Sequence, residues 1–168
     1  EESHGFLMGN HSGDKDGIWA SMAFAEMAAA LKENKLTPID RLNQIYQQYE
    51  VHLDALGTQT FKGTKGMAKI QQIMRELRNS PPESVAGQAV VKITDYLENK
   101  IICGNETRQG PGLPQSNVIA LELADNSRIT ARPSGTEPKI KYYFNLQGKD
   151  SEMLNRRLAS IQADFIKD

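Results

Sequence analysis

The residues best suited to chemistry lie between Arg128 and Lys141. Arg132-Pro133-Ser134-Gly135-Thr136-Glu137-Pro138 sets two prolines, which fix backbone direction, around a glycine that tolerates a left-handed turn. Successive backbone N–H groups at such a turn can converge on an anion, and Ser134 and Thr136 add hydroxyl donors. Arg132 can offer a bidentate fork to phosphate, while Lys141, on the polar face of the next strand, adds a point charge. From Arg128 to Lys141, four basic residues (Arg128, Arg132, Lys139, Lys141) face a single acid, Glu137. Several donors at one strand junction predict a phosphate cradle. The plainer reading is a rigid polar hairpin turn in which Glu137 pairs with a neighbouring Arg or Lys.

A second group of polar residues opens the chain. Glu1-Glu2-Ser3-His4-Gly5 puts carboxylates beside a hydroxyl, a combination suited to sugar hydroxyls because these donate and accept at once. A frayed acidic terminus explains the pentapeptide equally well. In Gly13-Asp14-Lys15-Asp16-Gly17, Lys15 stands between two acids just before a helix start. A lysine there can transfer a proton or supply charge to a phosphate, since its protonation responds to its surroundings. The alternative is a solvated helix cap. The Asp-x-Asp-Gly string lacks the further ligands of a calcium loop.

The elements that must position these groups follow from periodicity and caps. Asp16 caps a helix over 18–31 that is apolar almost all round, so a helix buried on most sides is expected. Thr37-Pro38 starts a second helix with the stripe Ile39, Leu42, Ile45, Tyr46 and Tyr49. Two helices with no strand between them do not build a sheet domain, so this stretch reads as the remnant of a domain that begins upstream. A boundary is expected between Glu50 and Leu56. Beyond it, Leu53 to Lys62 reads as extended, and Thr64 as the cap of a helix with the stripe Met67, Ile70, Ile73, Met74 and Leu77. Gln88 to Thr94 reads as a strand and Asn99 to Gln115 as a long loop. Val118–Ala124 and Arg128–Arg132 flank a hairpin turn. Lys139 to Leu146 alternates, with Ile140, Tyr142, Phe144 and Leu146 on one face. A final helix carries Leu154, Leu158, Ile161 and Phe165. The sum is an α+β fold: an antiparallel sheet of about four strands with helices on one face.

Composition sets limits. The chain has 168 residues, with 20 Lys and Arg against 21 Asp and Glu, a balance unsuited to a protein that coats nucleic acid or acidic lipid. The single cysteine, Cys103, cannot form an internal disulfide, and no Cys/His spacing matches a zinc site, so a cytoplasmic setting is expected. The longest apolar run, Met27 to Leu31, is far short of the roughly 20 residues that span a bilayer.

Taken together, the three polar segments resemble one family, the α-D-phosphohexomutases (phosphoglucomutases and phosphomannomutases). Glu1-Glu2-Ser3-His4-Gly5 is similar to the family's sugar-recognition loop, Asp14-Lys15-Asp16-Gly17 to the helix start that follows it, and the Arg132–Pro138 loop to the phosphate-binding loop of the fourth domain. The resemblance covers essentially the whole chain. It implies residues 1–50 as the end of domain 3, an α/β domain, and residues 51–168 as domain 4, a TATA-binding-protein-like fold. It also implies that Glu1 and Ser3 contact sugar hydroxyls, that Lys15 is a general acid/base near the reacting oxygen, and that Arg132, Ser134, Gly135, Thr136 and Lys141 hold the phosphate that is not being transferred. The parent reaction moves a phosphoryl group between C1 and C6 of a hexose through a phosphoserine enzyme, Mg²⁺ and a hexose 1,6-bisphosphate. The loop Glu-Glu-Ser-x-Gly points to a glucose-type enzyme.

The departures matter as much. The family's Ser-His-Asn-Pro nucleophile loop and Asp-Gly-Asp magnesium loop are absent, and Gly13 stands where many relatives carry Arg. The expectation is therefore a chain with no metal site of its own, inactive alone, whose partners are a phosphosugar and the preceding domains of the same polypeptide, with no nucleic acid and no membrane. A stand-alone phosphate- or RNA-binding module is the alternative. Near-neutral charge, and the lack of an aromatic platform beside the basic loop other than Tyr143, weigh against RNA.

Overall fold

The computed structural model describes residues 5–10 and 13–166. The chain divides into two compact units, Glu1–Glu50 and Val51–Asp168.

In the first unit, the side chain of Asp16 accepts from the N–H groups of Ile18 and Trp19 and starts α1 (Gly17–Glu33). This satisfies two of the four donors that a helix start leaves open. The second helix, α2 (Pro38–Tyr49), opens on a capping box: Thr37 Oγ1 accepts from Asp40 N–H (3.1 Å) and Asp40 Oδ2 from Thr37 N–H (2.8 Å). The expected burial of α1 is not found. Only Ala20 on this helix is buried, while Ile18 is 78% exposed and Met22 and Phe24 are also exposed. One neighbouring helix offers too little surface to cover a helix that is apolar on nearly every side.

The second unit is a mixed layer of sheet and helix. Its strands are β1 (Val51–Thr60), β2 (Ser84–Val85), β3 (Gln88–Asp95), β4 (Lys100–Cys103), β5 (Glu106–Gln109), β6 (Ile119–Leu123), β7 (Arg128–Pro133) and β8 (Lys139–Gly148), with α3 (Thr64–Asn79) and α4 (Ser151–Phe165). All strand pairs are antiparallel. The order across the sheet is β1-β8-β7-β6-β3-β4-β5, with β2 paired to β3. The sheet is wider than the sequence suggests, chiefly because the expected loop at 99–115 contains the β4–β5 hairpin. Its two-residue turn, Gly104-Asn105, uses a left-handed glycine (φ 57°), a hairpin signal that the surrounding glycines and prolines obscure. A second correction concerns α3, whose N-cap is Gly63 rather than Thr64.

Along β8 burial alternates, and Ile140, Tyr142, Phe144 and Leu146 are all at most 3% exposed. Onto this face pack Ile70 and Met74 of α3 and Leu154 and Ile161 of α4, forming one core with β6 and β7. Each such side chain contributes about 1.5–3 kcal/mol by leaving water. The first residue of the α3 stripe, Met67, stays 40% exposed.

Polar pins hold the layers in place. Arg78 Nε donates to Asp95 Oδ2 (3.0 Å), their side chains 8% and 1% exposed, and Arg78 also reaches Asn117 (2.6 Å). Arg157 joins α4 to Asp125 (2.7 Å) and to the Ala86 carbonyl (2.7 Å).

Candidate phosphate-binding loop and the lysine turn

The β7–β8 connection is held by short-range bonds that follow from its sequence. Ser134 N–H donates to Lys139 O (2.9 Å) and Lys139 N–H to Glu137 O (2.7 Å), which closes the turn. Inside it, Ser134 Oγ accepts from Thr136 N–H (3.4 Å) and Glu137 N–H (3.2 Å). The expected convergence of backbone donors is present in this form: both N–H groups point at one oxygen, the hydroxyl of Ser134. These bonds are long, so an anionic oxygen would be a better acceptor for the same donors.

The strands aim the side chains. Arg132 and Lys141 are direct partners across β7 and β8, and Lys141 is in turn opposite Thr58 on β1. Partners in an antiparallel ladder project to the same face, here the one away from the helices. Arg132, Pro133, Ser134, Gly135, Glu137, Lys139 and Lys141 line a cavity of about 200 Å³. Glu137 forms an ion pair with Lys139, as the plainer reading of the turn expects. That pair offsets the charge of Lys139; Arg132 and Lys141 are the other basic residues of the lining. A built Cβ on Gly135 meets nothing within 4 Å, so the loop crest is open.

The loop is braced from behind. Phe61 N–H donates to Pro138 O (2.8 Å), tying the end of the turn to the residue after β1. Gly66 lies so close that a Cβ there would stand 2.5 Å from the Phe61 carbonyl oxygen. Neither residue was singled out from the sequence. Nothing local in Phe61 or Thr58 marks them, because the register of β1 against β8 is a long-range property.

The basic residue of the first unit lies in a tight turn. Lys15 Nζ is 3.3 Å from Asp14 Oδ1, which also accepts the Lys15 backbone N–H (2.8 Å). The Lys15 N–H, followed by its ammonium, holds the Asp14 carboxyl below the usual carboxylate range. Phe6 and Asp16 form an isolated antiparallel bridge, with Asp16 N–H donating to Phe6 O (3.3 Å). The expected sugar-binding residues Glu1 and Ser3 lie outside the described residues.

The comparisons with known proteins bear on both units. The family description "Phosphoglucomutase/phosphomannomutase, alpha/beta/alpha domain III" matches residues 1–49. A phosphoglucomutase of Staphylococcus aureus (strain MRSA252) is 38% identical over 159 residues, covering 94% of this chain and 29% of that protein. The phosphoglucomutase of strain USA300 is 40% identical over 148 residues, covering 88% and 27%. This chain belongs to the phosphohexomutase family. The fold agrees: the open form of Paramecium pp63/parafusin, a phosphoglucomutase, superimposes with a TM-score of 0.53 at 20% identity, over 92% of this chain and 28% of that one.

The phosphohexomutase chain thus spans less than a third of the length of the relatives it matches. Among its described residues no three His, Cys, Asp or Glu side chains come together that could hold a metal ion, and no helix is long and apolar enough to cross a membrane. The described residues do not fit a magnesium site. In this phosphohexomutase chain the described residues bring together a cavity lined by Arg132, Ser134 and Lys141 and a carboxylate-paired lysine at 15.

Proposed function

We propose that this chain is the end of domain 3 (residues 1–50) and the whole of domain 4 (residues 51–168) of a phosphohexomutase that interconverts hexose 1-phosphate and hexose 6-phosphate. The observation that carries this reading is the cross-strand pair Arg132 and Lys141 at the mouth of the Ser134–Pro138 turn. Both side chains line the same cavity, where a phosphate would meet a guanidinium fork and an ammonium.

In this reading the dianion that is not being transferred replaces Ser134 Oγ as acceptor for the Thr136 and Glu137 N–H groups. The freed Ser134 hydroxyl donates to the phosphate together with Thr136, Arg132 gives its fork, and Lys141 gives charge. The crest at Gly135 lets the backbone approach. Because the donors recognise a dianion rather than a sugar carbon, either end of a hexose 1,6-bisphosphate satisfies them. Glu1 and Ser3 read sugar hydroxyls. Lys15 works at the reacting oxygen as a general acid/base, with Asp14 keeping an anion beside its ammonium. The nucleophilic serine and Mg²⁺ belong to preceding domains of the same polypeptide. The setting is cytoplasmic.

The test is direct. Titrated with phosphate and glucose phosphates, the chain should show weak binding with amide shifts confined to 132–141. Its mutase activity should read zero with glucose 1,6-bisphosphate and Mg²⁺ added. Turnover by the pure chain, or phosphate shifts elsewhere, would overturn the assignment.

A further inference from the structure

Gly5 is buried, and its place in the first unit is fixed by what it touches. A Cβ built on it would lie 3.3 Å from Lys15 Cβ and 3.5 Å from both Lys15 Cγ and Asp16 N. The approach of the Lys15 stem leaves little space for a side chain at residue 5. The next residue, Phe6, bridges Asp16, which holds strand against turn at this point. On its other side the lysine is held by Asp14 (3.3 Å), and Asp16 is committed to capping α1. Lys15 therefore has little room to move its stem: the helix start fixes its Cα, and residue 5 sets the limit on its Cβ and Cγ.

We infer that Gly5 is a positioning residue, and that the Phe6–Asp16 clasp sets where the Lys15 ammonium stands. This rests on the reading of Lys15 as the proton-transfer or charge-supplying group. A contact of 3.3 Å is tighter than ordinary van der Waals separation, so Gly5→Ala displaces the lysine stem by a few tenths of an ångström, and Gly5→Val by more. Catalytic groups lose about 10²-fold for a 1 Å misplacement. The smaller shift should lower kcat several-fold and the larger by about 10²-fold, with KM for the sugar phosphate changing less than kcat.

The experiment uses the full-length enzyme and four variants: Gly5→Ala, Gly5→Val, Lys15→Met and the double variant Gly5→Val/Lys15→Met, each with a kcat–pH profile and a thermal melt. The expected result is a graded fall in kcat from Ala to Val, a shift in the pH limb that Lys15→Met abolishes, and no further loss from Gly5→Val once Lys15 is Met. Equal losses from Gly5→Val in both backgrounds would show that residue 5 acts independently of Lys15 and would overturn the inference. An unchanged kcat in Lys15→Met would overturn the reading of Lys15 itself, and the inference with it. Should Gly5→Val fail to fold, Gly5→Ala, which asks for only a small displacement, decides: full kcat with an unaltered pH profile overturns the inference.

Discussion

Arg132 and Lys141 stand directly opposite on neighbouring strands and line one cavity. Removing Arg132 should remove the bidentate donor. In the full-length enzyme, Arg132→Ala should lower kcat/KM by about 2–4 kcal/mol, the scale for one charged donor at a developing or transferred charge. Arg132→Lys should recover only part, because an ammonium lacks the fork; steady-state kinetics at several phosphate-ester concentrations would measure both. An unchanged kcat/KM in Arg132→Ala would remove Arg132 from the site. The candidate loop was legible from residue types alone: proline, glycine, hydroxyl and guanidinium each bring a local preference. Less legible was the partner of Glu137, since Arg128, Arg132, Lys139 and Lys141 were all within reach in the sequence and only the turn geometry selects Lys139. Elsewhere a single carboxylate links stability to pH. Partial burial pushes the Asp125 carboxyl up, but the Ser127 N–H and hydroxyl and the Arg157 guanidinium outweigh it and hold the group below the usual carboxylate range. A depressed folded-state value means stabilisation present above the ordinary carboxylate pKa of about 4 and lost as pH falls through the lower, folded value. Asp125→Asn should therefore lose less stability than the parent when denaturant midpoints are compared from about pH 5 down to about pH 2; parallel curves would contradict it.

At the scale of elements, the start of α3 supports the β7–β8 turn through three contacts in series: Gly66 against the Phe61 carbonyl, Phe61 N–H on Pro138, and Pro138 at the end of the turn. Because the 2.5 Å approach is to backbone, Gly66→Ala must shift the chain rather than a side chain. A loss of about 1–3 kcal/mol in chemical denaturation is expected, together with shifted amide resonances over 133–139. Unshifted loop amides would mean that α3 and the turn are mechanically separate. Caps and stripes made most elements readable: Asp16, Thr37 and the β8 alternation carry their own geometry. The β4–β5 hairpin was not readable because Gly104-Asn105 sits among Gly110, Pro111, Gly112 and Pro114, and breakers on that scale suggest loop throughout. The cap of α3 moved by one residue because Gly63 takes a left-handed conformation (φ 75°) that ends the extended chain before Thr64.

On the scale of the whole molecule, the buried hydrophobic residues other than Ala20 all belong, among the described residues, to Val51–Asp168. That unit has its own core and should fold without the first. A chain beginning at Val51 should give a dispersed amide spectrum and one cooperative melt, whereas residues 1–50 alone should show neither, given apolar helices with almost nothing to bury them. A non-cooperative melt of the 51–168 piece would show that its core depends on the preceding helices. The change of pattern from residue 53 onward lies close to the division after Glu50, whereas the sheet order was not legible, because strand neighbours far apart in sequence leave no local trace. The pairing of β1 with β8 is the extreme case, joining the first strand of the unit to its last along the full length of both. Such a pairing closes a large loop of chain and is entropically late. The brace behind Pro138 is made through the residue after β1, so it too must wait for β8. During synthesis, then, a ribosome would have released nearly the entire unit before the β7–β8 turn gained its support. A nascent chain would pass through no long-lived stage in which a finished turn stood beside an unfinished sheet.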